Sequence, residues 1–232
     1  MLLERGAAKV YAAARSPDQL TRHWNRDCLV PIRLDVTVPA EIAAAADACP
    51  GVNLVVCNAG QTCVGGVVAP PDEVVFRDAF EVNFFGPRTL TKCFAPALRR
   101  IRGRLLFVSS LSGLLISRSS PIYSATKAAC LMMAAGARDE LGVDGVTVTS
   151  TLPGFIDTDM TTSMAIQKAS PRAVAEKSLD GLAAGGATVF PDRFAALAEW
   201  GLVSDMATVL REPQQVATRV VRAYRQDPLA GN

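Results

Sequence analysis

The sequence predicts an α/β domain built on a doubly wound parallel sheet. Short apolar runs alternate with amphipathic segments along nearly the whole chain, the order expected of parallel strands joined by helical crossovers. Most of the runs are rich in Val, Leu or Ile instead of alternating polar with apolar, as strands covered on both faces require. No repeat, low-complexity tract or linker-like stretch divides the 232 residues, so residues 1–232 are expected to form a single domain.

Strands are expected, in order, over 8–14, 28–34, 52–57, 104–109, 146–151 and 187–190. Between them stand helix start signals. Ser16-Pro17 offers a cap and a first-turn proline, Thr37 and Pro39 precede the apolar segment 40–48, and Pro71-Asp72 open a long helical stretch reaching Arg100. A further helix opens at Ile122-Tyr123-Ser124. Residues 158–170 are small and polar without periodicity and read as a mobile loop. The carboxyl-terminal region 193–232 reads as helical over 194–210 and 213–224, with Trp200 expected in the core or in an oligomer interface.

Composition narrows the function classes. With 24 Lys+Arg against 22 Asp+Glu the net charge is +2, which gives no electrostatic reason for a nucleic-acid or membrane partner. The six cysteines lie singly, with no CxxC pair, in a chain large enough to do without disulfides, and a reduced cytoplasmic protein is expected. The amino-terminal segment has neither the basic start nor the apolar run of a signal peptide, and the apolar stretch 128–137 is well short of the roughly 20 residues needed to cross a bilayer. The single histidine, His23, argues against most metal sites and leaves one candidate base for a hydrolase, so no metal is expected.

Acid/base chemistry without histidine is nevertheless available. Tyr123 and Lys127 stand at i and i+4, which puts phenol and ammonium on one helix face. A nearby ammonium favours the phenolate, so Tyr123 is expected to exchange a proton well below its solution pKa near 10. Ser110, at a strand end thirteen residues earlier, can donate a hydrogen bond to the same substrate oxygen. A YxxxK pair alone is also common on solvated helix faces.

A serine at a strand end, followed by a small-residue turn and then YxxxK, resembles the short-chain dehydrogenase/reductase family, whose active site is Ser, Tyr and Lys with an assisting Asn. The resemblance implies a Rossmann-like sheet and further matches in register. Asn58-Ala59-Gly60, after the apolar run 54–57, looks like the family's NNAG motif with Cys57 in place of the first Asn, at a strand end where open α/β sheets bind ligands. Asn83 matches the helix asparagine that helps hold a water in the family's proton relay; a buried, satisfied asparagine is the plainer alternative. Asp35 matches an aspartate near the adenine ring and also suits a helix cap. Pro153-Gly154-Phe155-Ile156-Asp157-Thr158 resembles the segment that receives the nicotinamide carboxamide, with Pro153, Gly154, Ile156 and Thr158 as its contacts; Pro-Gly by itself marks only a turn.

For the cofactor, an acid at the end of the second family strand would bind the ribose hydroxyls and repel a 2′-phosphate. Here Ala14 occupies that place and Arg15 follows with a fork suited to phosphate, so NADP(H) is preferred over NAD(H), unless Arg15 is simply a solvated loop charge. The resemblance then implies hydride transfer between nicotinamide and a carbonyl carbon, Tyr123 moving the proton and Lys127 also bonding the nicotinamide ribose. The substrate is expected to be a small-molecule carbonyl compound or alcohol, with a hydrophobic alcohol or ketone preferred because Ile116, Met160 and Met164 would give it an apolar wall, and the protein a homodimer or homotetramer.

One family feature is missing. The first strand and its glycine-rich TGxxxGxG turn, which hold the pyrophosphate, have no counterpart, and only Gly6 falls in the first fifty residues. The expectation is a chain short of a βα unit by roughly 20 to 30 residues, with two inner strands left unpaired. The alternative to a working enzyme is a catalytically silent relative, kept as an interaction or regulatory subunit.

Overall fold

The computed structural model describes residues 1–17, 28–69 and 72–226. Its strands are all parallel, as expected for runs of apolar residues separated by helices. Strands β1 (Val10–Ala14) and β2 (Leu29–Arg33) pair in the register Val10↔Leu29 to Ala14↔Arg33. Strands β3 (Leu54–Cys57), β4 (Arg104–Val108), β5 (Thr147–Thr151) and β6 (Thr188–Val189) form a second sheet in that order. Pro31 lies inside β2, whose one bonded neighbour is β1; a residue without an N–H is tolerated on such an edge strand.

Among the described residues the two sheets do not join. β1 and β3 each have one hydrogen-bonded neighbour, and both line a single cleft of about 1680 Å³, through Val10, Tyr11 and Ala14 on one side and Leu54, Val55 and Val56 on the other. Val56 is 38% exposed although its strand has the apolar composition of a buried one.

Helices cover the sheets on the pattern the sequence sets. They are α1 (Pro39–Ala48), α2 (Glu73–Phe80), α3 (Gly86–Ile101), α4 (Pro121–Gly142), α5 (Pro171–Ala183), α6 (Arg193–Ser204), α7 (Met206–Arg211) and α8 (Pro213–Gln226). The main core packs Ile42, Phe94, Leu98, Leu105, Phe107 and Val148 between α1, α3 and the larger sheet. A second cluster joins Leu111 and Leu115 to Phe194, Leu202, Val216 and Tyr224 of the carboxyl-terminal helices.

Several boundaries differ from the sequence reading, each for a local reason. The cap of α1 is Val38, without a side-chain bond; Thr37 and Asp35 instead bond each other, Asp35 Oδ1 accepting from the Thr37 amide at 2.9 Å and its hydroxyl at 2.8 Å. Asp35 is therefore an Asx-turn residue, not a helix cap. The stretch from 72 to 101 is helical but changes pitch at a π-turn, Glu81–Phe85. The expected helix over 194–210 breaks at Asp205, whose Oδ1 accepts from the Thr208 amide at 3.2 Å and caps α7. Trp200 is 73% exposed and does not enter the core.

The loop 158–170 is more ordered than its composition suggests. It carries a short 3-10 turn, Asp159–Thr161, and its ends close on each other, with Asp157 N to Ala169 O at 2.9 Å and Ala169 N to Phe155 O at 2.8 Å. The segment expected to be helical after Ser16-Pro17, His23, Pro71 and residues 227–232 lie outside the described residues. No helix among the described residues is long and apolar enough to cross a membrane, no metal-holding cluster occurs among them, and all six cysteines are free thiols.

Candidate active site

The site forms where β3, β4 and β5 end. β4 stops at Val108, and Ser110 turns the chain into a 3-10 turn, Leu111–Gly113, its Oγ accepting from the Ser112 amide at 3.1 Å. Pro121 at the first position of α4 fixes the helix start two residues before Tyr123. Tyr123 and Lys127 then share one face, with Lys127 Nζ 5.7 Å from the centre of the Tyr123 ring. Lys127 is 4% exposed and donates to the Val108 carbonyl at 3.2 Å, which ties the ammonium to the end of β4 and leaves two more N–H donors on the same nitrogen.

Burial governs the electrostatics. It pushes the Tyr123 phenol above its ordinary value, with a hydrogen bond from Ser110 pulling partly the other way, and it pushes the Lys127 ammonium below its own. The expectation that the ammonium holds Tyr123 well under 10 is not met in this structure: burial is the largest influence on the phenol and raises it.

Asn83 sits at the middle of the π-turn, 1% exposed. Its Oδ1 accepts from the Gln61 amide at 2.9 Å, and its Nδ2 donates to the Gln61 carbonyl at 2.8 Å and to Thr126 Oγ1 at 2.9 Å. Thr126 in turn donates to the Tyr123 carbonyl at 2.7 Å. The asparagine thus clamps the loop after β3 to the second turn of α4. A widened turn inside an otherwise regular helix is a common device for aiming a side chain at a functional site.

Asn58, Ala59 and Gly60 follow β3 and are exposed toward the cleft. Gly60 leaves room in front of the ammonium: a Cβ there would lie 3.6 Å from Lys127 Nζ and 3.5 Å from Asn83 Oδ1. Across the cleft are Pro153, Gly154, Ile156 and Thr158, beyond the end of β5. At its far end lie Arg15, which is exposed, and Asp35, whose carboxyl is held below its usual value first by Thr37 and further by the Arg15 and Arg33 guanidinium groups.

One cleft therefore brings together Arg15, Asp35, the 58–60 segment, Ser110, Tyr123, Lys127 and the 153–158 segment, with Asn83 just behind it. Met160 lines it as expected, whereas Ile116 and Met164 are absent from its wall. Three residues that shape it had no signal in the sequence: Gln61 and Thr126, the partners of Asn83, and Asp192, which bonds Gly154 from 38 residues away.

The space suits a nicotinamide dinucleotide at both ends: a cationic fork and a carboxylate stand at one, and the buried ammonium and phenol line the other beside a glycine shelf.

Comparison with known proteins agrees with that shape. The family model described as short chain dehydrogenase matches residues 1–169. The chain is 35% identical over 157 residues to mouse estradiol 17-beta-dehydrogenase 2, covering 64% of this chain and 40% of that protein. It is 34% identical over 169 residues to an uncharacterized oxidoreductase of Staphylococcus aureus strain MRSA252, covering 69% of this chain and 72% of the other. A solved short chain dehydrogenase from Burkholderia cenocepacia J2315, in complex with NADP, superposes with a TM-score of 0.85 at 34% identity, over 90% of this chain and 87% of its own. A parallel sheet whose strand ends gather Ser, Tyr and Lys in one cleft, and a family model matched over most of the sequence, have one explanation: the chain belongs to the short-chain dehydrogenase family.

Proposed function

We propose that the protein is an NADP(H)-dependent oxidoreductase that interconverts a small ketone or aldehyde with the corresponding alcohol. The observation that carries this reading is the joint lining of one cleft by Ser110, Tyr123 and Lys127 at the strand ends and by Arg15 at the far side. When bound, the nicotinamide supplies the hydride carried to or from the carbonyl carbon.

The chain's own groups do the rest. The Tyr123 phenol gives a proton to the substrate oxygen in reduction and takes it back in oxidation. The Ser110 hydroxyl donates to the same oxygen and stabilises the charge developing there. Lys127, anchored on Val108, directs its remaining N–H donors toward the cofactor ribose and the tyrosine. Burial raises the Tyr123 phenol, so it stands protonated and ready to give its proton in the reducing direction. Asn83 holds the Gln61 loop against α4 and so fixes where these groups point.

Arg15 and Asp35 would hold the adenosine end, Arg15 on the 2′-phosphate. Asn58 to Gly60 would lie along the cofactor, and Pro153, Gly154, Ile156 and Thr158 would take the carboxamide. The NADP held by the Burkholderia relative supports the phosphate-bearing cofactor.

Tyr123→Phe tests the central step. It is expected to abolish carbonyl reduction while NADPH affinity stays within about fivefold, because one neutral hydrogen bond is worth about 1 kcal/mol or less. Retained turnover overturns the role. A second reading, a silent relative acting as an interaction or regulatory subunit, draws on the unpaired facing edges of β1 and β3, and it requires that NADPH does not bind.

A further inference from the structure

We infer that Asp192 is a positioning residue for the nicotinamide half of the cofactor site, acting through the Pro153–Gly154 peptide unit. This inference rests on the cofactor reading above.

Asp192 is 6% exposed and caps α6, where its Oδ1 accepts from the Ala195 amide at 2.9 Å. A cap needs only one acceptor atom. The second oxygen, Oδ2, accepts from the Gly154 amide at 2.8 Å. On the other edge of the same peptide unit, the Pro153 carbonyl accepts from the Leu111 amide at 3.0 Å, next to Ser110. The plane of this peptide is thus held at both ends, by the serine turn on one side and by a buried carboxylate on the other. Its rotation would break one bond or the other, so the backbone facing the cleft keeps one orientation.

Packing reinforces the clamp. A Cβ on Gly154 would lie 2.4 Å from Phe194 Cδ1 and 3.1 Å from Asp192 Oδ1, so the backbone is seated directly on the first turn of α6. The rings of Phe155 and Phe194 stand 5.0 Å apart, and those of Phe194 and Tyr224 5.1 Å. Burial raises the Asp192 carboxyl while the amides of Gly154, Ala195 and Phe194 lower it, in keeping with an acceptor held by backbone donors. The carboxyl-terminal helices, which match no sequence motif, thereby acquire a role in the site.

Asp192→Asn separates the two functions of the side chain. Its oxygen can still cap α6, but an amide N–H faces the Gly154 N–H. The test measures the amide exchange of Gly154 and Ala195, and the binding of NADPH and of adenosine 2′,5′-bisphosphate, which lacks the nicotinamide. Exchange at Gly154 is expected to rise about tenfold with Ala195 unchanged, and NADPH affinity to fall about tenfold, as loss of one well-made charged hydrogen bond implies. Adenosine 2′,5′-bisphosphate should bind the variant and the wild type alike. Equal weakening of both ligands would mean a merely structural residue and overturn the inference, as would unchanged NADPH affinity in the variant. Failure of the wild type to bind NADPH would overturn the cofactor reading itself, and the inference with it.

Discussion

Replacing Asn83 by leucine removes a clamp whose value follows from its bonds. Leucine has the same branching and number of side-chain heavy atoms as asparagine and is the bulkier of the two, so the change leaves no cavity, but it strips the Gln61 amide and carbonyl of their partner and takes one bond from Thr126, which keeps its bond to the Tyr123 carbonyl. A buried backbone group left without a partner costs about 1–3 kcal/mol. Two are orphaned here, and Gln61 is only half-buried, so water recovers part of the loss and about 2–3 kcal/mol remains. For a domain of this size that lowers Tm by roughly 4–12 °C. Calorimetry of wild type and variant, with amide exchange at Gln61, reads the effect. A Tm change under about 1 °C with unaltered Gln61 exchange would refute the reasoning.

Two further outcomes follow from the same geometry. Arg15→Glu should weaken NADPH at least about tenfold more than NADH, because a carboxylate repels the 2′-phosphate that the guanidinium would hold; equal effects in a two-ligand titration would sink the cofactor assignment. Burial lowers the Lys127 pKa, so between that lowered value and the unfolded value near 10.4 the unfolded chain binds more protons and stability rises with pH. Lys127→Met should abolish this contribution, read as the difference between the two proteins' stability–pH curves, since the buried thiols Cys57 and Cys130, pushed up, tilt both curves the opposite way. Parallel curves would contradict it.

What the sequence made legible depended on how locally each feature is determined. Most strands were readable because a strand covered on both faces is rich in apolar residues, and all six runs became strands with ends trimmed by a residue or two, the buried β5 being carried by β-branched Thr and Val instead of an apolar run. Tyr123 and Lys127 were readable because i, i+4 spacing sets a shared helix face without help from the rest of the fold. The π-turn at Asn83 was not, since Glu81–Phe85 has the composition of ordinary helix and only the distant Gln61 loop reveals the widened turn. Asp192 was illegible for the same reason, its partner Gly154 lying 38 residues back. The phenol's electrostatics do not follow from spacing alone, because burial of Tyr123 and Lys127 is a property of the assembled cleft. Asp205, which splits the expected carboxyl-terminal helix, is a capping residue type, but its position inside a periodic apolar segment hid the break.

The cleft between the strand ends is the centre of the account, and its occupant is the most direct test. Titrating the purified 232-residue protein with NADPH, followed by nicotinamide fluorescence, should give saturable binding that is tighter than for NADH under the same conditions. Absence of saturable binding by either nucleotide would contradict the account.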